Sequence, residues 1–370
     1  MVKTILILAN SIAGLYSFRK EVVKALADAG YNVVISTPHD SYEKDDFFFS
    51  IGCQMEFVEV DRRGTNPLRD LALVWRYRSL IRELRPTAVL TYTIKPNVYG
   101  GIAARLCHVP QLANITGLGD AIENPGLLQK LSIFLYRVGL KKAWRVFYQN
   151  SSIEAFCKAH RIGRNGQLLP GSGVNLEWHT FQPYPIAEAP LRFNFIGRMM
   201  KDKGLEELLA MAIDIRSRYP QVEFHLFGHC EERYEDILKA SQEQGVLVWH
   251  GAVSDVRPWI KDSCCTVHPS YHEGMANVLL ESCAAGRPVI ASDIPGCREA
   301  VDDGDTGFLC QVRNAADLTA KVERFINLPH EAKRAMGAAA RRKVEREFDR
   351  KIIVDAYLKT INEATNNSHR

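Results

Sequence analysis

Two glutamates, Glu273 and Glu281, are the strongest candidates for chemistry in this 370-residue chain, within the stretch EGMANVLLE. Glu273 lies in a loop before a predicted helix that starts near Asn277, and Glu281 lies about one turn inside it. A glycine-bearing loop that runs into a helix leaves N–H groups free for an anion such as a diphosphate. The carboxylates would then accept hydrogen bonds from sugar and ribose hydroxyls. The alternative is an ordinary loop–helix–strand unit with two solvated glutamates.

A second candidate cluster is the basic turn GRMMKDKG at residues 197–204. A predicted strand ends at Gly197, and Arg198, Lys201 and Lys203 follow before the next helix begins. Guanidinium and ammonium groups at the carboxyl end of a strand, beside a helix start, are suited to binding a diphosphate. A solvated basic turn is the alternative, and it is less favoured once the turn is considered together with the Glu273 loop.

A third candidate is the small-residue segment NSIAGL at residues 10–15, which follows the first predicted strand. It contains only Gly14 and is not a G-x-G-x-x-G fingerprint, so it gives little support for dinucleotide binding. Its backbone could approach a ligand across a cleft between two domains. A plain connection between a strand and a helix, with the helix starting at about Ser17, explains the segment equally well.

Metal-ligand patterns are weak in this chain. Asp303-Gly304-Asp305 has the spelling of a metal-binding motif but is better explained as a turn, because arginine and lysine already supply positive charge for a leaving group. We therefore expect no metal and no other cofactor.

Nine cysteines without a C-x-x-C pair fit a reducing cytoplasm, and Cys283 is expected in the core rather than as a nucleophile. Five histidines also lack ligand spacing, and only His272, beside Glu273, is a weak site candidate: His225, His229, His250, His268 and His272.

Strand and helix patterns alternate along almost the whole chain and predict an α/β protein with two doubly wound, Rossmann-like domains facing a central cleft. A proline-rich break at residues 171–190 reads as a linker. The N-terminal domain is expected at residues 1–178, joined by the C-terminal helix at about 350–370, and the C-terminal domain at 190–349. Ligands of such sheets bind at the carboxyl ends of the strands.

Charge is concentrated in one sector. Residues 62–145 contain 14 Lys/Arg against four Asp/Glu, although the net charge of the whole chain is only +4. Two helical patterns there carry aromatic residues among the cations, including Trp75, Tyr77, Phe134 and Trp144, which is typical of proteins that lie on an anionic membrane surface. A solvated basic face is the alternative. Nucleic acid is not expected as a partner, because no nucleic-acid-binding motif accompanies the charge. The apolar run at residues 5–9 is too short for a signal peptide or a membrane span.

The motifs together resemble those of family 4 retaining glycosyltransferases of the GT-B architecture. The resemblance rests on the E-x7-E stretch, the GR…KG turn, Gly14 and the segment VDDGDTGFL at residues 301–309. Within that family, YTIKPN at residues 92–97 and NITGLG at residues 114–119 resemble bacterial enzymes that extend undecaprenyl-diphosphate-linked sugars, such as N-acetylgalactosaminyltransferases.

The resemblance implies a role for each matching residue. Arg198 and Lys203 would neutralise the diphosphate, Glu281 would hold the ribose hydroxyls, and Glu273 would contact the donor sugar. The full implied donor site is Gly14, Gly197, Arg198, Lys203, Val253, His272, Glu273, Gly274, Met275, Ala276, Asn277, Val278, Leu279 and Glu281. The implied acceptor site is Asn10, Ser11, Tyr92, Lys95, Asn97, Thr116 and Gly117. Many family members carry a histidine after the fourth strand, and Lys95 is expected to take over part of that catalytic role here.

The expected activity is the retaining transfer of a hexose, N-acetylhexosamine or hexuronic acid from a UDP-sugar to a lipid-diphosphate-linked saccharide. The protein would then be cytoplasmic and peripheral at the inner face of the bacterial inner membrane. Two alternatives are a UDP-sugar 2-epimerase of the same architecture and a non-catalytic, membrane-peripheral sugar-binding protein. A glycosidase is disfavoured, because Glu273 and Glu281 are assigned to different parts of one donor rather than to the two sides of a glycosidic bond.

Overall fold

The computed structural model describes residues 2–39, 42–61, 64, 66–117 and 126–367. The chain divides into two compact units. Unit 1 comprises residues 1–172 and 350–370, and unit 2 comprises residues 173–349. Each unit contains one parallel sheet flanked by helices, so the predicted α/β class with two doubly wound domains is confirmed.

Unit 1 contains a seven-stranded parallel sheet with the order β3-β2-β1-β4-β5-β6-β7. Its strands are short apolar runs, and β4 is buried along its whole length, as expected for a parallel sheet covered on both faces. The strands are β1 Thr4–Leu8, β2 Asn32–Thr37, β3 Gln54–Phe57, β4 Ala88–Tyr92, β5 Gln111–Ile115, β6 Arg145–Tyr148 and β7 Gly166–Leu168.

The helices of unit 1 cover both faces of this sheet, over two separate apolar clusters. They are α1 Ile12–Asp28, α2 Tyr42–Ser50, α3 Pro67–Leu84, α4 Gly101–Leu106, α5 Leu127–Gly139, α6 Ser151–Ala159 and the C-terminal helix Arg350–Asn367. A single π-helical turn, Pro96–Gly100, leads into α4. The C-terminal helix packs against α1 and contributes Ile353, Tyr357 and Ile361 to one of the two clusters.

Unit 2 contains a six-stranded parallel sheet with the order β10-β9-β8-β11-β12-β13. The strands are β8 Arg192–Ile196, β9 Glu223–Phe227, β10 Val248–Trp249, β11 Cys265–His268, β12 Val289–Ser292 and β13 Gly307–Cys310. The helices are α7 Leu205–Arg218, α8 Glu232–Glu243, α9 Arg257–Asp262, α10 Asn277–Ala284, α11 Ala315–Ile326 and α12 His330–Glu347. Apolar clusters on both faces of the sheet form the core of this unit.

Two boundaries differ from the sequence-based prediction. Helix α1 begins at Ile12, not near Ser17, because Ser11 caps it by accepting a hydrogen bond from the Gly14 N–H at 3.3 Å. Residues 173–189, predicted as a linker, belong to unit 2 and are tied to it by backbone bonds such as Gln182 N–H to the Ala285 carbonyl at 3.2 Å. Among the described residues, no helix combines the length and apolarity that a membrane crossing requires.

Candidate functional site

The candidate donor site of unit 2 lies at the carboxyl ends of β8 and β11, the two neighbouring strands from which the sheet is built outward in opposite directions. Gly197 and Arg198 follow β8, and residues 269–274 follow β11. Val253 lies in the loop after β10 and is half-buried. Parallel α/β sheets bind ligands at this position, because the loops on the two sides diverge and leave room between them.

The basic turn and the glutamate loop pack directly against each other. The carbonyl of Asp202 accepts hydrogen bonds from the Tyr271 N–H at 2.9 Å and from the Ser270 hydroxyl at 3.2 Å. Gly204 has φ +70°, and a Cβ there would lie 2.0 Å from the Pro269 carbonyl oxygen. Only glycine therefore allows this approach, which brings the two sequence motifs into one site.

Lys203 and Glu273 meet at the centre of the site. The Lys203 ammonium lies 2.5 Å from Glu273 Oε1, and the two side chains are only 19% and 13% exposed. His268 Nε2 lies 2.8 Å from the same oxygen. Burial alone would raise the pKa of the Glu273 carboxyl, but the hydrogen bond and charge of His268 and the charge of Lys203 outweigh it and hold that pKa at about 2. Glu273 is therefore ionised at neutral pH.

The helix that follows the glutamate loop presents an uncapped N-terminus. The residue before α10, Ala276, offers no side-chain hydrogen bond to the first turn. The loop is shaped by Gly296, whose φ is +85° and whose carbonyl accepts from the Ala276 N–H at 2.9 Å. Free N–H groups and the positive end of a helix dipole suit an anionic ligand.

The remaining predicted donor residues contribute in different ways. Glu281 is half-buried on α10, whereas Arg198 and His272 are exposed. Other predicted residues are buried in the core, so that only their backbone groups can reach a ligand; they are Met275, Ala276 and Leu279. Gly274, Asn277 and Val278 are partly exposed at the helix start.

His268 is the site residue that sequence reasoning missed. Its lack of metal-ligand spacing predicts a structural histidine. A usable signal was present, since His268 is the last residue of the buried strand β11 and lies at the sheet edge where Glu273 follows. The contact between them depends on how the intervening loop turns, which spacing alone does not specify.

Two of the predicted acceptor residues of unit 1, Tyr92 and Asn97, have buried side chains. Asn97 is fully buried, accepts from the Thr91 hydroxyl at 2.7 Å and donates to the Asn114 carbonyl at 2.7 Å. Tyr92 is 5% exposed beneath the C-terminal helix, and its ring stacks near that of Tyr357. Tyr92 ends β4 and Asn97 lies in the π-helical turn that follows, and both side chains are buried within unit 1. Their predicted role in acceptor binding stays a prediction.

Lys95 is held in an ion pair. Its ammonium lies 2.7 Å from Asp70 Oδ1, and Tyr99 donates to Asp70 Oδ2 at 2.6 Å. Burial raises the pKa of Tyr99 above its ordinary value, and its hydrogen bond to Asp70 raises that pKa further. Lys95 also lines a cavity of about 510 Å³ together with Arg69 and Arg76. Its predicted catalytic role stays a prediction.

Other predicted residues of unit 1 lie at the carboxyl edge of its sheet. Asn10 and Ser11 follow β1 and are half-buried, with the Ser11 hydroxyl engaged as the cap of α1. Gly14 lies in the first turn of α1 rather than in a loop. Thr116 is half-buried and Gly117 is exposed after β5. The next two residues of the NITGLG motif, Leu118 and Gly119, lie outside the described residues.

The segment Asp303-Gly304-Asp305 forms a turn. Gly304 has φ +86° and donates its N–H to the Gly307 carbonyl at 2.8 Å. Asp303 Oδ1 accepts from the Leu309 N–H at 2.8 Å, so this carboxylate is used within the turn. Within the part of the chain that the structure describes, no group of three or more His, Cys, Asp or Glu side chains is arranged to hold a metal ion.

Comparison with known proteins matches both units. Residues 4–150 match the family described as glycosyl transferase 4-like, and residues 190–327 match glycosyl transferases group 1. The N,N'-diacetylbacillosaminyl-diphospho-undecaprenol alpha-1,3-N-acetylgalactosaminyltransferase of Campylobacter jejuni is 26% identical, over 95% of this chain and 96% of its own. The capsular polysaccharide biosynthesis glycosyltransferase CapM of Staphylococcus aureus is 30% identical, over 77% of this chain and 80% of its own.

Solved structures share the fold at low identity. A glycosyltransferase from Rickettsia africae superposes with a TM-score of 0.80 at 19% identity, covering 99% of both chains. Anabaena Alr3699/HepE in complex with UDP and glucose superposes with a TM-score of 0.78 at 16% identity, covering 98% of this chain and 100% of its own. With both units matched by glycosyltransferase models and the E-x7-E and basic-turn residues assembled in one site, this chain belongs to the family 4-like, group 1 glycosyltransferases of the GT-B fold.

Proposed function

We propose that this enzyme transfers a sugar from a UDP-sugar, with retention of configuration, to a lipid-diphosphate-linked saccharide. The observation that carries the proposal is the Lys203–Glu273 pair beside the uncapped start of α10. It provides positive charge for a diphosphate and an ionised acceptor for sugar hydroxyls in the same place. The Campylobacter relative, whose name specifies an undecaprenol-diphosphate-linked substrate, supports the acceptor class. HepE, solved with UDP, supports the nucleotide.

Different residues of unit 2 bind different parts of the donor. Arg198, Lys203 and the N–H groups of α10 hold the diphosphate, so that its growing negative charge is stabilised as the bond to the anomeric carbon breaks. Glu281 accepts from the ribose hydroxyls, and Glu273 accepts from a hydroxyl of the transferred sugar. The acceptor hydroxyl attacks from the side of the leaving group, which retains the configuration. Stabilisation of the leaving diphosphate supplies most of the rate enhancement.

The proposed function is tested with a panel of nucleotide sugars and a synthetic lipid-diphosphate saccharide. A UDP-sugar should raise the melting temperature, since a ligand at 100 times its Kd adds about 2.7 kcal/mol to the free energy of unfolding. The same UDP-sugar should then be consumed only with the acceptor present, and NMR of the product should show the anomeric configuration of the donor. Conversion of the UDP-sugar without acceptor would instead support the 2-epimerase, and binding without any turnover would support the non-catalytic protein.

The proposed chemistry is metal-free. Arg198 and Lys203 supply the positive charge that a divalent cation provides in other transferases, and Asp303 is already bonded within its turn. Transfer should therefore survive treatment with EDTA at its full rate. Loss of turnover that Mg²⁺ or Mn²⁺ restores, measured with the same donor and acceptor, would contradict this part of the proposal.

The proposed place of action is an anionic membrane surface, and the outer faces of α3 and α5 support it. Both helices bury one apolar face in the core cluster of unit 1, where the π-helical turn before α4 contacts both of them. They also expose a second apolar face towards solvent, with Leu127 85%, Phe134 59% and Trp75 55% exposed. We call this set the apolar outer surface: Leu68, Leu71, Trp75, Leu127, Leu128, Leu131 and Phe134.

Cations accompany the apolar outer surface. Arg69, Arg76 and Lys130 are exposed on the same two helices, and Arg78 lies over the Trp75 ring at 5.0 Å. Exposed apolar side chains flanked by cations fit the boundary between anionic headgroups and acyl chains, where a lipid-linked acceptor resides. Two of the aromatic residues expected in this role are not available: Tyr77 is buried, and Trp144 packs against a core cluster.

A further inference from the structure

Both protein partners of Glu273 converge on one of its two oxygens. Lys203 Nζ and His268 Nε2 lie 2.5 Å and 2.8 Å from Oε1. The hydrogen bonds of these two side chains to Oε1 leave Oε2 available to accept one from a ligand hydroxyl. The carboxylate is thus fixed through one oxygen and leaves the other for binding.

His268 is itself rigidly placed. Its side chain is only 4% exposed, and its ring lies nearly parallel to that of Phe195, with 6.3 Å between the ring centroids. The second ring nitrogen, Nδ1, is buried and has no hydrogen-bond partner among the described residues. The contact with Glu273 is therefore the polar interaction that the described structure provides for this ring.

Lys203 has two competing partners, Glu273 and the diphosphate. The second partner rests on the proposed function. Without donor its ammonium is bound to Glu273, yet the same ammonium is the group expected to neutralise the diphosphate. When Lys203 turns towards the phosphate, the buried carboxylate loses its cation. A buried charge left without donors is costly, so the exchange needs a second donor that stays in place.

We propose that His268 is a positioning residue that makes this exchange possible. Its Nε2–H keeps its hydrogen bond to Glu273 Oε1 while the Lys203 ammonium transfers to the diphosphate, and it holds Oε2 in the orientation that receives the sugar hydroxyl. His268 touches neither the nucleotide nor the sugar. It lowers the cost of donor binding by acting through Glu273.

The competing explanation is that His268 only fills space in the core beneath Phe195. The two explanations separate in a double-mutant cycle, because a space-filling role does not depend on the charge of Glu273. UDP affinity is measured by calorimetry for the wild type, for His268→Leu, for Glu273→Gln and for the double variant. Thr266→Val is the matched control, since Thr266 is also buried on β11 and its hydroxyl bonds that of Ser282 at 2.8 Å.

The expected result is that His268→Leu weakens UDP binding about tenfold or more, the size of a lost hydrogen bond to a charged group. His268→Gln should restore most of the affinity, because its amide nitrogen occupies nearly the position of Nε2 and donates. In the Glu273→Gln background, which lacks the buried charge, His268→Leu should change UDP affinity less than about twofold. Thr266→Val should leave UDP affinity unchanged.

An equal loss of UDP affinity in both backgrounds would overturn the positioning role and leave the proposed function intact. Failure of His268→Gln to recover affinity would also count against it. A wrong nucleotide assignment would give a different result: the wild type would bind GDP or ADP in place of UDP. The double-mutant cycle would then be run with that nucleotide. A wild type that binds none of the three would overturn the proposed function, and this inference with it.

Discussion

At the scale of single residues, the candidate donor site depends on charges that are only partly exposed to water. Glu273 and Lys203 are 13% and 19% exposed, so their interaction is screened far less than a surface ion pair. The hydrogen bond and charge of His268 and the charge of Lys203 keep the Glu273 carboxyl ionised. A ligand that binds Lys203 removes one of the cations that stabilise the Glu273 carboxylate. Donor binding is therefore coupled to the stability of this ionised carboxylate.

Glu281→Ala and Lys203→Ala should each reduce transfer by about 10²–10³-fold, by analogy with the loss of one oxyanion-binding donor. The reason is their assignment to the ribose and to the diphosphate. The rate is measured at saturating donor, and folding is checked by circular dichroism. Lys239→Ala is the control, since Lys239 is exposed on α8 and pairs with Glu235. Transfer near the wild-type rate in either site variant would remove that assignment.

Acid should selectively remove the stabilising effect of Glu273. Its pKa is about 2 in the folded protein against an ordinary 4.5, so its contribution to the free energy of unfolding is fully present above pH 4.5 and is lost as the pH falls towards 2. A pKa difference of this size corresponds to roughly 3 kcal/mol. The stability difference between the wild type and Glu273→Gln, from urea unfolding, should therefore shrink between pH 5 and pH 3. A difference that does not change with pH would show that the carboxylate is not held by these charges.

At the scale of elements, Arg287 connects the start of unit 2 to its core. Its side chain is fully buried and donates to backbone carbonyls, including those of Gln182 at 3.0 Å, Pro183 at 2.8 Å and Lys261 at 2.6 Å. Burial lowers the pKa of its guanidinium to about 10, which still leaves it charged at neutral pH. One side chain thus holds together residues 182–183, the end of α9 and the turn before β12.

Arg287→Met should destabilise the protein by at least about 3 kcal/mol, because it leaves several buried carbonyls without a donor. Arg334→Met should change the free energy of unfolding by about 1 kcal/mol or less, because Arg334 is 63% exposed and pairs with an exposed Glu331. Thermal and urea unfolding of both variants would measure the effect. Equal stability of the two variants would mean that the buried carbonyls find other partners.

At the scale of the whole molecule, the basic sector at residues 62–145 also contains exposed apolar side chains. Helices α3 and α5 have apolar residues on both their inner and outer faces, whereas a helix on a water-exposed surface has only one apolar face. The exposure of leucines among arginines and lysines is energetically unfavourable in water and favourable at a lipid surface.

Vesicles that contain anionic lipid should bind the protein, and raised salt should weaken the binding, because the surface potential decays within a Debye length of about 8 Å at physiological salt. Lys141 and Lys142 are exposed shortly after the end of α5. Changing them to Glu together with Arg76 and Arg78 should lower the partition coefficient on the order of 10²–10³-fold, at about 1 kcal/mol for each cation. Co-sedimentation measures it, and turnover of a water-soluble acceptor should be largely unaffected.

The apolar part of this interaction is tested separately by changing Leu127, Leu131 and Phe134 to Ser. This variant should lose the binding that persists at high salt, because buried apolar area is not screened. Ile213→Ser and Ile237→Ser are the controls, since these side chains of unit 2 are 53% and 49% exposed on α7 and α8. Unchanged binding of both the charge variant and the apolar variant would show that the surface is merely solvated.

The sequence by itself determined the fold class and the two motifs of the candidate donor site, and the resemblance of those motifs indicated the enzyme family. These features are local: apolar runs specify strands, helical periodicity specifies helices, and a glycine-bearing loop before a helix marks an anion site over a few residues. Gly204 and Glu273 could be identified in this way because each lies within a short pattern whose physical purpose is local.

Only the tertiary structure decided which side chains meet. Asn97 and Tyr92 have the types expected of a binding site, yet both are buried. Asn97 bonds Thr91 and Asn114, and Tyr92 packs in the cluster that includes Tyr357 of the C-terminal helix. The contacts of His268 with Glu273 and of Lys95 with Asp70 join residues whose separation along the chain carries no periodic signal. Burial and charge pairing depend on which elements pack together, and these interactions over distance determine whether a polar residue binds a ligand or stabilises the protein.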